Sequence, residues 1–411
     1  MRRLAVLSLH TSPLAQPGTG DGGGMNVYVR ELTTALARAG VDCDVYTRAY
    51  SAELPASVVV EPGFRLHHVP AGPLGPMAKE ALPGVVDEFA DNVAALMTDG
   101  EGEGFDALHA NYWLSGLAGH RLKHELELPL VSTFHTLARV KAEASPEELR
   151  SSEPRRRAEA EAEIMRCSDV VLASCTVEAD QLAGLYHADA GRVRVVAPGV
   201  DHAFFGPGHR PQARRALGLP LDVPLLLFVG RLQPLKRAEV AVRALAALSD
   251  DAQLVIVGGP SGPDAEAYRG RLEAEVADAG LAHRVRFVEP QPHELLSTFY
   301  RAADVCLVPS RSESFGLVAL EAAACGTPVV ATAVGGLTTL VDHGCTGYLI
   351  DDGDPAAFAG AVRRILDDPL GAERMASEAV LRARRYTWAR SAAVLRATYE
   401  ELAVGNLVEC R

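Results

Sequence analysis

Short apolar runs recur along the chain, separated by longer segments in which apolar residues repeat at helical spacing. Nearly continuous apolar runs are typical of parallel strands that helices cover on both faces. The pattern therefore predicts an α/β domain with a parallel sheet in the first half of the chain. Its predicted strands are Leu4–Leu9, Val41–Thr47, Ala107–Ala110, Leu130–Phe134, Val170–Ala173 and Val193–Val196.

A second series of the same kind follows a stretch rich in proline and glycine, residues 198–224, which we interpret as an interdomain connection. Its strands are Leu225–Val229, Leu254–Val257, Val285–Val288, Val305–Val308, Val329–Ala331 and Tyr348–Ile350. The sequence thus predicts one domain over 1–200, a second over 201–385, and a helix over 386–411 that packs back on the first. In open parallel sheets, ligands lie beyond the carboxyl ends of the strands, so a cleft between the domains is the expected site.

Charge and composition limit the kinds of partner that the protein is expected to bind. The 411 residues are 48% hydrophobic and 23% charged, as in a globular protein, and the net charge is −13. A nucleic-acid or membrane-surface binder would need a basic face, so neither partner is expected. The first apolar run is too short for a signal-peptide core, and no run reaches membrane-spanning length, so we expect a cytoplasmic protein.

The seven cysteines are scattered and form no CxxC pair. Together with the chain length, this argues against a disulfide framework or a zinc site, and it favours buried structural thiols.

The first predicted strand runs into His10 and a loop with five glycines, at positions 18, 20, 22, 23 and 24, before a helix. Glycine lets a ligand approach the backbone, and a helix N-terminus favours an anion. The loop matches neither the Walker motif nor the GxGxxG fingerprint. A flexible loop without a ligand is the alternative.

Charged residues follow strands of the second domain. Arg231 and Lys236 come directly after Leu225–Val229, where a guanidinium fork and an ammonium would suit a diphosphate. Glu313 lies just before a helix predicted to begin near Phe315, and Glu321 about two turns inside it. At roughly 1.5 Å per residue, this spacing suits contacts to two parts of an extended ligand.

In the first domain, the segments HANYWLSG and STFHTL follow apolar strands into loops, so His135 and Thr136 should face the cleft. A structural histidine is the alternative. The cluster Arg155, Arg156 and Arg157 has acidic neighbours and is typical of a solvated helix face.

Taken together, the segments HTSPLAQPGTGD, GGMNVYV, NYWLSG, GRLQPLK, GGPSG and SESFGLVALEA resemble glycosyltransferase family 4. The resemblance covers nearly the whole chain and implies the GT-B architecture, two Rossmann-like parallel-sheet domains facing a cleft. It implies a retaining transfer of N-acetylglucosamine from UDP-GlcNAc to 1D-myo-inositol 3-phosphate, a step of mycothiol biosynthesis. It also allows a homodimer.

The resemblance implies roles for particular residues. The residues expected in catalysis are His135, Arg231, Lys236 and Glu313. The donor would contact Gln16, Pro17, Gly24, Arg231, Lys236, Gln291, Glu313 and Glu321. The acceptor would contact His10, Asp21, Gly22, Gly23, Gly24, Met25, Asn26, Lys79, Tyr112, Thr136 and Arg157, of which Lys79, Tyr112, Thr136 and Arg157 would form a phosphate pocket. The resemblance implies no cofactor for the chemistry, but a structural magnesium ion near Tyr300, Arg301, Ala303 and Thr327.

Two alternatives stay open. A related transferase could use another nucleotide sugar and a different small polar acceptor. A nucleotide-sugar epimerase or hydrolase on the same fold would need no acceptor, and would convert UDP-GlcNAc when incubated with it alone.

Overall fold

The computed structural model describes residues 2–98, 104–144, 152–248, 251–262, 265–403 and 405–410. The chain divides into two compact units. The first unit comprises Met1–Ala15, Met25–Pro198 and Trp388–Arg411, and the second comprises Gln16–Gly24 and Gly199–Thr387. The glycine-rich loop therefore groups with the second unit, although it precedes most of the first in sequence.

The first unit contains one sheet of eight strands in the order β3-β4-β2-β1-β5-β6-β7-β8. Every pair is parallel except the antiparallel pair β3 and β4 at the edge. The strands are β1 Arg3–Leu7, β2 Asp42–Arg48, β3 Ser57–Glu61, β4 Phe64–Val69, β5 Ala107–Asn111, β6 Leu130–Thr133, β7 Val170–Ala173 and β8 Val193–Val195.

Strands β3 and β4 are absent from the predicted series. The prediction looked for continuous apolar runs, but β3 is partly exposed along its length and β4 alternates buried residues with arginine and histidine. Such alternation is typical of strands near a sheet edge with one wet face. The helices that cover this sheet are α1 Gly24–Arg38, α2 Val86–Thr98, α3 Trp113–Leu126, α4 Ala138–Ala144, α5 Ser152–Cys167 and α6 Thr176–Tyr186, and a 3₁₀ helix spans Lys79–Val85.

The second unit contains an all-parallel sheet of six strands in the order β11-β10-β9-β12-β13-β14. The six predicted strands of this half overlap the observed ones, because each is a short, mostly apolar run, and four of them, β9, β10, β12 and β13, are nearly fully buried. The observed bounds are β9 Leu225–Val229, β10 Gln253–Val257, β11 Val285–Val288, β12 Val305–Val308, β13 Val329–Thr332 and β14 Gly347–Ile350.

Helices again flank the strands. They are α7 Arg210–Ala216, α8 Ala238–Ala246, α9 Ala265–Asp278, α10 Leu296–Ala302, α11 Leu317–Ala324, α12 Leu337–Leu340, α13 Pro355–Asp367 and α14 Pro369–Ala383, with a 3₁₀ helix over His293–Leu295. Helix α7 lies inside the predicted connection. Its Arg214 is buried and donates to the Ala302 carbonyl (2.9 Å) and to Asp304 (2.6 Å), which fixes this part of the connection on the second unit.

Helix α15, Trp388–Leu402, belongs to the first unit. The hydroxyl of Tyr399 lies 2.8 Å from Nδ1 of His109 on β5, and both side chains are buried. Ser391 donates to the carbonyl of Ala197 at 2.6 Å. These contacts hold the last helix of the chain on the sheet of the first unit.

The cysteines depart from the expectation of unpaired thiols. The structure joins Cys167 and Cys410 in a disulfide, with Cα atoms 5.1 Å apart and a sequence separation of 243. An odd cysteine count and the lack of a CxxC motif do not exclude a single long-range pair. Of the other five, Cys43, Cys175, Cys306 and Cys325 are buried and Cys345 is exposed.

Within the described ranges, none of the helices is both long enough and apolar enough to cross a lipid bilayer.

Candidate active site

The strand order of the first unit explains where its polar residues gather. From β1 the chain proceeds to β2 and β4 on one side, and it returns to β5 on the other side of β1. Such a reversal leaves a crevice at the carboxyl ends of the two strands. His10 lies beyond β1 and Tyr112 immediately follows β5, and their rings lie 4.5 Å apart between centroids.

Two cations surround the Tyr112 ring. Lys79 Nζ lies 5.0 Å from the ring centroid and the guanidinium carbon of Arg157 lies 4.8 Å from it. Arg157 also donates to the Tyr112 hydroxyl at 3.0 Å, and to the carbonyl and hydroxyl of Thr136 at 2.6 and 3.0 Å. We call these four residues, together with His10, the acceptor-side cluster. The cluster brings together two cations and two hydroxyls from four separate chain segments.

Arg157 is buried because Glu161, one turn further along α5, neutralises it. Its Nε donates to Glu161 Oε1 at 2.7 Å, and Glu161 is 0% exposed. The second oxygen of Glu161 accepts from the backbone N–H of Ala138 at 2.9 Å and from the hydroxyl of Tyr186. Arg155 and Arg156 are exposed. The interpretation as a solvated face therefore holds for these two arginines and is wrong for Arg157.

The glycine-rich loop is closed on itself. Backbone N–H groups of Gly18 and Gly22 donate to the carbonyls of Gly22 and Thr19 at 3.0 and 2.8 Å. A Cβ on Gly22 would lie 2.9 Å from the carbonyl oxygen of Gln16, so only glycine fits there. A Cβ on Gly23 would lie 3.4 Å from Nε of Arg231. The loop thus brings backbone without side chains beside Arg231, which is predicted to bind phosphate.

The other predicted loop residues have varied surroundings. Asn26 is buried and donates to Thr11 and to the carbonyl of Ser12, which ties α1 to the segment after β1. Gln16 donates to the carbonyl of Pro290 at 2.9 Å. Asp21 and Gly24 are exposed, and Pro17 and Met25 are partly buried.

His135 follows β6 in a γ-turn. Its φ is 61°, and the N–H of Thr136 donates to the carbonyl of Phe134 at 2.7 Å. This conformation is strained for a residue with a Cβ, and such strain is often found at functional sites. His135 Nε2 lies 2.9 Å from Asn111 Oδ1, and its ring packs edge-on against Tyr28. Burial lowers the pKa of His135 to about 3, so the ring is neutral at physiological pH and serves through hydrogen bonds.

The second unit repeats the reversal of strand order, here between β9 and β12. Arg231 and Lys236 follow β9, and Glu313 follows β12. Lys236 Nζ donates to Glu313 Oε2, which also lies 3.3 Å from the hydroxyl of Ser310. Arg231 lies 3.4 Å from the Ser261 hydroxyl. We call these residues the donor-side cluster, two partly buried cations with one carboxylate beside them.

Two glycines fix the backbone of Glu313. The N–H of Gly336 donates to its carbonyl at 3.0 Å, and a Cβ on Gly335 (φ 49°) would lie 1.9 Å from that oxygen. The helix that follows begins at Leu317 rather than near Phe315. Glu321 therefore lies about one turn inside α11, and the prediction of two turns is wrong, because Gly316 in the left-handed region delays the helix start.

Glu321 is buried and held at both oxygens. Oε1 lies 2.7 Å from His293 Nε2, and Oε2 accepts from the Tyr300 hydroxyl at 2.7 Å. Gln291 is partly buried near His293 in sequence and donates to the carbonyl of Glu289 at 2.9 Å. The two glutamates thus have different partners, an ammonium for Glu313, and an imidazole and a phenol hydroxyl for Glu321.

The residues expected near magnesium lie at the end of α10. The hydroxyl of Thr327 donates to the Tyr300 carbonyl at 2.6 Å, and the N–H of Ala303 donates to the same oxygen at 3.1 Å. The side chain of Arg301 donates to the carbonyls of Phe204 and Gly206. Carbonyl and hydroxyl oxygens are ligands of a type that magnesium accepts, although it usually also takes a carboxylate. The ion stays a prediction.

Several residues that the sequence did not single out shape the two clusters or hold His135 and Glu321: Asn111, Glu161, Tyr186, Ser261, His293, Ser310, Gly335 and Gly336. The glycine pair after β13 was the one local signal, since adjacent glycines after a buried strand often mark a close backbone approach. The rest depend on contacts between distant segments.

Two family models match the chain. Residues 23–199 match "Glycosyl transferase 4-like domain" and residues 209–382 match "Glycosyl transferases group 1". The chain belongs to this family, glycosyltransferase family 4, and is an enzyme that transfers a sugar from a nucleotide-sugar donor.

The relatives that the chain matches are named as transferases. The chain is 48% identical to D-inositol 3-phosphate glycosyltransferase of Acidothermus cellulolyticus, over 94% of this chain and 87% of that protein. It is 47% identical to the protein of that name from Actinosynnema mirum, over 97% of both. These relatives favour transfer over the epimerase or hydrolase alternative.

Solved structures agree with the fold. Sucrose-phosphate synthase from Thermosynechococcus elongatus has a TM-score of 0.91 and 35% identity, covering 98% of this chain and 99% of its own. Anabaena HepE in complex with UDP and glucose has a TM-score of 0.77 at 20% identity, covering 98% of this chain and all of its own. The prediction of two Rossmann-like domains of the GT-B type is confirmed.

The neutral state of His135 can be tested by its pH titration. Because its pKa is lowered to about 3 from roughly 6.5 in an unfolded chain, its ring should stay unprotonated from pH 8 to pH 5. We expect its NMR ring signals, assigned by comparison with His135→Gln, to be constant over that range. A titration midpoint between pH 5 and 8 would contradict the assignment of a neutral ring.

Proposed function

We propose that this glycosyltransferase transfers N-acetylglucosamine from UDP-GlcNAc to 1D-myo-inositol 3-phosphate, with retention of configuration at the anomeric carbon. The observation that carries the proposal is the acceptor-side cluster, above all the charge of Lys79. The names of the relatives support the acceptor. The donor sugar and the retention are carried by the resemblance to the family.

The charges of the cluster favour an anionic acceptor. Arg157 is matched by Glu161. Among the residues that the structure describes, no carboxylate lies within salt-bridge distance of Lys79, which is partly exposed beside the Tyr112 ring. An ammonium in such a position can be neutralised by a phosphate monoester, with charge-assisted hydrogen bonds that are stronger than neutral ones. This explains a basic pocket on a protein with a net charge of −13.

The hydroxyls give the pocket its shape. Arg157 holds the side chains of Tyr112 and Thr136 through hydrogen bonds, so both hydroxyls have fixed positions. Each hydroxyl can also donate to a phosphate or ring oxygen. A small polyol phosphate fits this set, because one end needs cations and the rest needs neutral hydrogen-bonding groups.

The donor-side cluster suits a nucleoside diphosphate sugar. The leaving diphosphate gains negative charge as the glycosidic bond to it breaks, and Arg231 and Lys236 would stabilise that charge. Glu313 orients the ammonium of Lys236, and we assign it a further contact with sugar hydroxyls. Glu321, held by His293 and Tyr300, retains lone pairs that can accept from a ribose hydroxyl. A structural magnesium ion is not needed for any of these steps.

The acceptor assignment predicts a selective effect of Lys79→Ala. Hydrogen bonds to charged groups contribute about 1.5–3 kcal/mol, so the KM for inositol 3-phosphate should rise at least about tenfold. The KM for UDP-GlcNAc should be unchanged. Steady-state kinetics with each substrate varied in turn measure both.

Arg65→Ala is the matched control for Lys79→Ala, because Arg65 is an exposed cation of the same unit on β4. It should leave both constants unchanged. If Lys79→Ala had a normal KM for the phosphorylated acceptor, or if Arg65→Ala raised it equally, the phosphate pocket would be misassigned.

The donor assignment predicts that Arg231→Ala and Lys236→Ala each lower kcat about 10²–10³-fold, because each removes a cation from the developing charge. Initial rates at saturating substrates provide the measurement. Arg374→Ala, an exposed arginine on α14 of the same unit, should have the wild-type rate. Wild-type turnover in either cluster variant would remove that residue from the donor site.

A further inference from the structure

Two histidines and two cysteines meet in the first unit, and none of them belongs to either cluster. They are His120 and His124 on α3, Cys167 at the end of α5, and Cys410 in the segment 405–410. One ligand atom from each lies within 4.8 Å of the other three. Four groups of metal-binding chemistry from three separate segments therefore share one small volume.

The two histidines share one face of α3. Residues four apart are neighbours on a helix surface, which is the spacing that lets two imidazoles bind one metal ion. Their rings lie 5.2 Å apart between centroids. Helix α3 thus presents two nitrogen ligands to the end of α5.

Asp169 holds the three segments together. Its Oδ2 accepts from Lys123, which lies between the two histidines on α3, at 2.8 Å. Its Oδ1 accepts from the backbone N–H of Val408, two residues before Cys410, at 2.7 Å. Lys123 donates in addition to the carbonyl of Cys167 at 2.8 Å. The segments that carry the four ligands are therefore positioned by contacts other than the sulfur pair.

We propose that His120, His124, Cys167 and Cys410 form a structural zinc site when the two cysteines are reduced. Tetrahedral zinc with Zn–N of about 2.0 Å and Zn–S of about 2.3 Å places its ligand atoms about 3.3–3.8 Å apart. The observed limit of 4.8 Å requires shifts of about 1 Å or less, and the two sulfurs must separate from their bond.

The chemistry of binding balances without an oxidant. Both thiols lose a proton to solvent and the two imidazoles bind as neutral ligands, so the zinc charge is matched by two thiolates. The disulfide in the structure is the competing state, two electrons and two protons away from the dithiol. A carboxylate is also close, since Glu163 Oε1 lies 3.9 Å from Nδ1 of His120. Carboxylates next to ligating histidines orient the ring and strengthen the ligand.

Four protein ligands leave no open position on the metal, so this site stabilises rather than catalyses. Zinc would fasten the segment 405–410 to α3 and α5. Local spacing in the sequence could not indicate such a site, because His124 and Cys167 are 43 positions apart and Cys167 and Cys410 are 243 positions apart.

The test uses the full chain, freed of metal and reduced by a phosphine, which is oxidised to the phosphine oxide as the disulfide opens. Cobalt(II) is the probe. We expect one equivalent to give the intense visible bands of tetrahedral cobalt together with thiolate-to-cobalt charge-transfer bands. Zinc should displace the cobalt, since zinc is the tighter-binding ion of the two. It should also raise the melting temperature.

Variants identify the ligands. Cys410→Ser and His124→Ala should each weaken cobalt binding by more than about tenfold, because removing even an outer partner of a ligand costs 10–100-fold. Cys345→Ser, which removes an exposed cysteine of the second unit, and His68→Ala should bind as the wild type does. The proposal is overturned if the reduced wild type gives no tetrahedral cobalt spectrum, or if Cys410→Ser retains it. If the reduced wild type gives no such spectrum, the disulfide alone links Cys167 and Cys410.

Discussion

The ion pair between Arg157 and Glu161 is the constraint on which the acceptor side of the molecule depends. Both groups are buried, and burying charge is costly unless it is paired and further hydrogen-bonded. Here the remaining bonds go to Tyr112 and Thr136 from the arginine, and to Ala138 and Tyr186 from the glutamate. This ion pair thus fixes the segment after β5, the γ-turn after β6, the start of α4 and the end of α6.

A second ion pair positions the side chains of the donor-side cluster. Lys236 and Glu313 follow β9 and β12, at the reversal of strand order of the second sheet. Glycine at 335 and 336 fixes the backbone of the glutamate, so the pair is set by main-chain contacts as well as by charge. Both clusters therefore lie at a reversal of strand order, which opens a crevice at the carboxyl ends of the strands. In the second unit the charged residues come just after the strands, whereas Lys79 and Arg157 come from a 3₁₀ helix and from α5.

This topology also explains which parts were predictable. The strands of the second unit, and the charged residues after them, could be located from apolar runs alone. Strands β3 and β4 could not, because an edge with one wet face has no continuous apolar run. The burial of Arg157 was hidden among Arg155 and Arg156, since its partner Tyr112 lies 45 residues away. For the same reason, local sequence gave no sign that Cys167 and Cys410 meet. The roles of Lys79 and Tyr112 came only from the family resemblance.

The central claim about this enzyme is that its acceptor is a phosphorylated inositol. The most direct measurement compares the initial rates of the wild-type enzyme with UDP-GlcNAc and either inositol 3-phosphate or unphosphorylated inositol, with the anomeric configuration of the product assigned by NMR. The account predicts a retained α-linked product and a rate constant kcat/KM at least about tenfold higher for the phosphorylated acceptor, from the charge-assisted bonds of the pocket. Equal rates for the two acceptors, or no transfer to inositol 3-phosphate alongside transfer to another polyol, would contradict it.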